Sequence, residues 1–255
     1  MAMAQSATTG KVRFVCISDT HCKHKLLDVP DADVLIHAGD FTNIGTHSQI
    51  YRFASWLDSL PHKHKIVIAG NHDASLDAAW YNKDGRKRHK EYQDPTISKQ
   101  MLTSVCTYLE NEAVEIDGIR IFGSPCSPVI PNHVMAFNLM PGRHSISHWQ
   151  SLPDHIDVLI THTPPLGILD KNHRSYACGD EDLLSEITTR IRPRVHVFGH
   201  IHECYGTTVE GPTTFVNASS CTISREPDNP PIVFDISKND LTVHVHAIPT
   251  TVEVE

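Results

Sequence analysis

A chain of 255 residues with 40% hydrophobic and 20% charged side chains has the makeup of an ordinary globule, long enough for one α/β domain with a substantial core. Its formal net charge of −8, with histidine neutral, argues against general nucleic-acid binding, which draws on clustered Lys and Arg. No apolar run approaches the ~20 residues needed to cross a membrane, and seven cysteines without a Cys-x-x-Cys pair fit free thiols in a cytoplasmic protein.

Residues 1–10 are small and polar, with neither a basic n-region nor an apolar h-region, and read as a disordered start rather than a signal peptide. A single domain is expected over 11–250. Aliphatic and β-branched runs place the first strands at 11–18, 33–37 and 65–69. Between the second and third, Ile50, Phe53, Trp56, Leu57 and Leu60 recur at helical spacing, predicting a helix over 47–60 that Pro61 ends. Leu76 to Trp80 suggests a short helix, 82–97 a polar loop, and Ser98 to Leu109 a further helix. Asp117-Gly118 between 112–116 and 119–122 signals a hairpin. Residues 123–143, rich in Pro, Gly and aromatics, read as a loop over the site, and Val158-Leu159-Ile160 as a strand. A helix near 180–192 precedes a strand at 195–198, and strands near 213–217, 231–236 and 241–247 are expected to close a second sheet.

Five short segments place a candidate metal ligand at the ends of these runs: Asp19-Thr20-His21, Gly39-Asp40, Gly70-Asn71-His72-Asp73, Thr161-His162 and Gly199-His200-Ile201-His202. In layered α/β folds, functional side chains gather just beyond the carboxyl ends of strands. Imidazoles offer nitrogen donors to borderline metals, while Asp and Asn add oxygens. A carboxylate such as Asp40 has two oxygens with which to bridge a pair of ions. Two divalent ions roughly 3.5–4 Å apart clamp a phosphoryl group and activate a water at neutral pH. Taken singly, each segment is an ordinary strand-end turn with a capping Asp or Asn. Taken together, they describe a binuclear metal site.

Asp-x-His, Gly-Asp, Gly-Asn-His-Asp, His and Gly-His-x-His in this order resemble the signature of the calcineurin-like metallophosphoesterases, with no motif member missing. The resemblance is closer to the metallophosphoesterase-domain-containing, UPF0046-like branch. It rests on Arg13 to His21, Lys65 to His72, Pro164-Pro165-Leu166-Gly167, His196 to Glu203, Val216-Asn217-Ala218-Ser219 and Asn229 to Asp235. It implies an α/β fold, a four-layer α-β-β-α sandwich of two mixed sheets. By the same resemblance, Asp19, His21, Asp40 and His202 would hold one ion, and Asp40, Asn71, His162 and His200 the other, with Asp40 as the bridge. Animal members of the branch can carry Gly where His200 stands, which weakens one metal site; here His200 is present, so the resemblance implies two divalent metal ions. Manganese is the first choice in vitro, with iron, zinc and cobalt also compatible. His72 matches a position that contacts the substrate phosphate as hydrogen-bond donor or general acid, and Asp73 would orient it and stabilise its charge.

The activity so implied is hydrolysis of phosphodiesters such as cyclic nucleotides, without a covalent enzyme intermediate. The alternatives are a phosphomonoesterase acting on a small phosphorylated metabolite or a phosphoprotein, and a metal-binding regulatory protein with little activity. The expected partner is a small phosphoester, not nucleic acid or membrane; the sequence does not specify an oligomeric state.

Two loops supply further substrate candidates. Pro164 to Cys178 contains Asp170, His173 and Arg174; 127–143 contains Asn132, His133, Phe137, Asn138 and Arg143. An arginine can fork onto a phosphate, and Phe137 could stack on a base. The basic run Gly85 to Lys90 reads as solvated surface. Of the remaining histidines, His37 is expected to be a satisfied core residue behind the site, and His62 and His64 to lie in a solvated turn.

Overall fold

Neighbouring side chains of a strand point to opposite faces, so the unbroken apolar runs of this chain require a core on each side of the sheet that carries them. The computed structural model describes residues 10–130 and 133–247. Its first half contains β1 (Lys11–Ile17), β2 (Val34–Ala38), α1 (His47–Ser59), β3 (His64–Ile68), α2 (Ala78–Lys83), α3 (Pro95–Thr103), β4 (Thr107–Tyr108), β5 (Glu112–Ile116) and β6 (Ile119–Ser124). There follow β7 (Ser127–Pro128), β8 (Asn138–Leu139), α4 (Arg143–Gln150), β9 (Val158–Thr161), α5 (Glu181–Glu186), β10 (Val195–Phe198), β11 (Gly206–Glu210), β12 (Thr213–Asn217), β13 (Ile232–Ser237) and β14 (Val243–Val245).

Two six-stranded sheets result, ordered β14-β13-β1-β2-β3-β4 and β11-β12-β10-β9-β6-β5. Both are mixed: β1, β2, β3 and β4 run parallel, as do β6, β9, β10 and β12, while β13, β11 and β5 run antiparallel to their neighbours. Phe14, Cys16, Ile36 and Ile66 meet Ile121, Val158, Ile160 and Val197 between the sheets. The alternate residues Val15, Ile17, Leu35 and Val67 turn outward onto Ile50, Phe53 and Leu57 of α1 and Leu102 of α3. On the far side, Phe122, Leu159, Phe198 and Phe215 pack with Trp149 of α4 and Leu183 of α5. The architecture is a four-layer α-β-β-α sandwich.

Several local expectations are corrected. Strands β13 and β14 join the first sheet, not the second: β13 pairs antiparallel with β1, and Phe14 stacks on its partner Phe234 at 4.9 Å. The helix expected from Ser98 to Leu109 occupies Pro95–Thr103, after which Thr107–Tyr108 pair with Ile66 and Val67. The 123–143 loop carries β7 and β8, and α4 begins at its end, an element the sparse apolar pattern of 143–150 does not announce. The 180–192 helix is regular only to Glu186 and then widens into a π-turn, Ile187–Ile191, closed by left-handed Arg192. His62 is buried rather than solvated, its Nε2 bonded to the Pro30 carbonyl at 3.0 Å. The expected disordered start lies, apart from Gly10, outside the described residues, as do 248–250 at the expected domain end. Among the described residues no helix is long and apolar enough to cross a membrane.

Candidate metal centre

Because β1, β2 and β3 are parallel, and β9 and β10 likewise, each sheet delivers its strand-end loops along one edge. The two edges meet at the site. Asp19 and His21 follow β1, Asp40 follows β2, Asn71 and His72 follow β3, His162 follows β9, and His200 and His202 follow β10. The backbone is forced to bring them this close. Asp19 (φ 51°), His21 (φ 41°), Asp40 (φ 56°) and His200 (φ 69°) are all left-handed, a conformation that costs a non-glycine residue of order 1 kcal/mol or more. A Cβ at Gly70 would collide with the Asp40 carboxylate, and one at Gly199 with that of Asp19, so both motif glycines are required by close approach.

Two ligand groups form. Asp19, His21 and His202 bring one donor atom each within 4.8 Å of one another, and Asp40, His162 and His200 do the same. Asp40 Oδ2 lies between the groups, 4.0 Å from His21 Nε2 and 3.4 Å from His162 Nε2. Asn71 joins the second group, its Oδ1 3.0 Å from His162 Nε2.

The tautomers indicate what belongs between these atoms. His21 Nδ1 faces the Thr42 carbonyl at 3.2 Å, and His202 Nδ1 faces that of Thr222 at 3.0 Å. A ring nitrogen against a carbonyl carries the hydrogen, so each neutral ring presents a bare Nε2, and the two stand 3.3 Å apart. Likewise His162 donates from Nδ1 to Ala38 and turns Nε2 on two oxygen acceptors, those of Asn71 and Asp40. Asp19 Oδ1 is buried, accepts no hydrogen bond, and has His202 Nε2 at 3.4 Å. Converging lone pairs of this kind repel unless positive charge lies among them.

The electrostatics agree. Burial would depress His202 and His162, yet the Asp19 and Asp40 carboxylates beside them raise each to about 9. Burial dominates at His21 and His200, which fall to about 4. Asp19 and Asp40, which burial would raise, are held well below the usual carboxylate range, chiefly by His202 and His162 respectively. Each group thus attracts one positive charge, and a divalent cation displaces such protons on binding. Nitrogen and oxygen donors in this ratio fit a borderline divalent metal.

The pair His72 and Asp73 divides differently from expectation. The His72 ring is oriented by the Asn43 carbonyl, 2.7 Å from its Nδ1, and not by Asp73. The Asp73 carboxylate instead accepts from the backbone N–H of Asp40, Thr42 and Gly70, each at 2.9 Å, and from Thr42 Oγ1 at 2.7 Å. It ties the loop after β2 to the loop after β3. Behind the site, buried His37 bonds Thr20 Oγ1 at 3.0 Å, and His196, on β10, matches it by bonding Thr161 Oγ1 at 2.7 Å.

His21, Asp40, Asn71, His72, His200 and His202 form the floor of a cleft of about 850 Å³. None of the four proposed substrate residues lines it. Phe137 is buried in the core beneath α1, with its N–H on Asp77 Oδ2 at 2.7 Å. Arg143 opens α4 and Arg174 is exposed, both outside its lining, while the His173 N–H is held by cleft-lining Glu203. The two loops do reach the cleft, but through Asn172 and Tyr176 of one and Ile130, His133 and Met135 of the other; Asn132 lies outside the described residues. Arg88, Arg225 and Asn43 also line it. Arg88 sits in the basic run that reads as surface, and no local pattern points to Arg225.

A two-sheet α/β sandwich with paired histidine–carboxylate groups at its shared edge defines a candidate metal-binding α/β protein. The sequence profile of the calcineurin-like phosphoesterases matches residues 12–204. Metallophosphoesterase domain-containing protein 1 of Homo sapiens is 44% identical over 239 residues, covering 89% of this chain and 72% of that protein. A UPF0046 protein of Caenorhabditis elegans is 42% identical over 238 residues, covering 89% and 82%. The crystal structure of TT1561 of Thermus thermophilus has a TM-score of 0.54 at 13% identity, covering 93% of this chain and 99% of that one, a likeness of fold alone. The chain belongs to the calcineurin-like phosphoesterase family.

Proposed function

We propose that this protein is a metal-dependent phosphohydrolase acting on phosphodiesters, cyclic nucleotides among them, through two divalent ions. Asp19, His21, Asp40 and His202 hold one ion, and Asp40, Asn71, His162 and His200 the other. The observation that carries the reading is the convergence of imidazole nitrogens and carboxylate oxygens, with His21 and His202 Nε2 only 3.3 Å apart. Bound divalent ions supply charge for the phosphoryl oxygens and lower the pKa of water.

The chain's own contribution is positioning and proton control. Left-handed Asp19 and Asp40 are fixed by backbone contacts before substrate arrives, so no reorganisation is needed during the reaction. His72, with Nδ1–H on Asn43, turns Nε2 toward the cleft; once protonated there, it donates to a phosphoryl or leaving-group oxygen. The diester reading is supported by two arginines in the lining of the cleft, each able to hold a phosphoryl oxygen. Arg88 donates to the Val134 carbonyl at 3.4 Å, next to Met135, whose sulfur lies 3.1 Å from Asn71 Nδ2. Arg225 lies in the turn whose Thr222 carbonyl faces His202 Nδ1. Manganese suits the mixed donor set for activity in vitro. All seven cysteines are unpaired, which supports a reducing, cytoplasmic setting.

The test is hydrolysis of bis-p-nitrophenyl phosphate beside p-nitrophenyl phosphate, with Mn²⁺ and then with EDTA. Chelator-sensitive turnover favouring the diester is expected. A monoester preference would move the reading to phosphorylated metabolites or phosphoproteins. Bound metal with no turnover of either would favour a binding role.

A further inference from the structure

The mouth of the cleft is more apolar than a phosphoryl group requires. Among the described residues twelve large hydrophobic side chains are exposed, and four of them line this cleft: Ile44 (43% exposed), Ile130 (42%), Tyr176 (66%) and Ile223 (57%). They come from four separate segments, after β2, after β7, between β9 and α5, and between β12 and β13, so no single loop's composition explains them. Isolated exposed apolar residues need no explanation. Four converging around one polar floor form a patch, the usual mark of a binding surface.

The wall is also held in place. The Ile44 N–H bonds Gln49 Oε1 at 3.1 Å and its carbonyl faces His89 Nε2 at 2.8 Å, while Ile130 is bridged to His133. Val129 and Met135 continue the apolar surface down to Asn71. A volume of about 850 Å³ lies within the range of about 300–1,000 Å³ that houses whole small-molecule ligands, and a phosphate group alone leaves most of it empty.

We infer that the organic part of the phosphoester is a bulky apolar group, seated against Ile44, Ile130 and Ile223 with phosphorus over the ligand groups. This rests on the phosphohydrolase reading and narrows its substrate class. An aliphatic or aromatic face seated there loses apolar surface to these isoleucines, a gain of about 25 cal/mol per Å², whereas a polar group against them would lose water that they cannot replace.

Alkylphosphonates, which cannot be hydrolysed at the P–C bond by this chemistry, report binding without turnover. Isothermal titration of Mn²⁺-loaded protein with methyl-, butyl- and hexylphosphonate is expected to show Kd falling about two- to fourfold per added methylene. An Ile130→Ser/Ile223→Ser variant should flatten that dependence, and Val209→Ser, exposed on β11 away from the cleft, should preserve it. Equal affinity for methyl- and hexylphosphonate, or a chain-length dependence untouched in the double variant, overturns the inference while leaving the phosphohydrolase reading intact. Failure of every phosphonate to bind while bis-p-nitrophenyl phosphate is still hydrolysed overturns the inference alone; absence of both binding and turnover overturns the phosphohydrolase reading with it.

Discussion

His72 and Asp73 are adjacent in the chain yet serve separate tasks. His72 turns Nε2 into the cleft from a ring fixed by the Asn43 carbonyl, and it belongs to neither ligand group. His72→Ala is therefore expected to keep both ions and slow turnover by about 10²–10⁴-fold; unchanged rates on every substrate would remove it from the mechanism. Asp73 is a clamp between two ligand-bearing loops. Asp73→Asn presents an amide group to four donors and should cost about 2–3 kcal/mol in denaturant unfolding, with metal content falling alongside. Wild-type stability in that variant would contradict the clamp. The candidate ligands were legible because each sits in a short motif at a strand end. The Asp73 partners were not, since they lie at positions 40, 42 and 70 and only folding brings them together. Phe137 misled for a similar reason: an aromatic in a Pro- and Gly-rich loop looks exposed, but its φ of 58° turns it into the core.

At the scale of elements, α1 shows how the helical layer supports the site. Thr46 caps it by accepting the Gln49 N–H at 3.3 Å, and Leu60 turns extended before Pro61. Phe53 from its middle stacks on Phe41 at 4.2 Å and meets the edge of His37 at 5.1 Å, directly behind the strand that leads to Asp40. Phe53→Ala is expected to cost about 3–5 kcal/mol, read as a lower urea midpoint with an unchanged slope. A loss below about 1 kcal/mol would mean that the layer repacks freely. Long elements with a clear period were readable almost to the residue, 47–60 against the observed His47–Ser59. Sheet membership was not: β13 joins β1 across more than 200 residues, and both candidate sheets offered it apolar neighbours. The short strand β11, whose residues are half-buried or exposed, carries too weak an alternation to stand out.

For the molecule as a whole, two buried histidines set an acid limit on stability. His37 and His196, one in each sheet, are pushed down to about 3 by burial. Unfolded, each titrates near 6.5. Both are neutral in either state above pH 6.5, where their contribution is fully present. As pH falls from 6.5 toward 3, the unfolded chain binds protons that the fold refuses, and stability drops by up to about 1.4 kcal/mol per pH unit per histidine. His196→Gln, which can keep the bond to Thr161, should flatten this decline in thermal unfolding between pH 6.5 and 4; an unchanged slope would place the acid sensitivity elsewhere. The same two sheets that bury these rings bring the ligand groups together, and the proposed chemistry depends on what those groups hold. The most direct measurement is calorimetric titration of chelator-stripped protein with Mn²⁺, backed by elemental analysis, for the wild type and His162→Ala. Two ions per chain in the wild type, and loss of one ion together with turnover in His162→Ala, is the predicted result. A wild-type protein that binds one ion or none would contradict the two-metal centre.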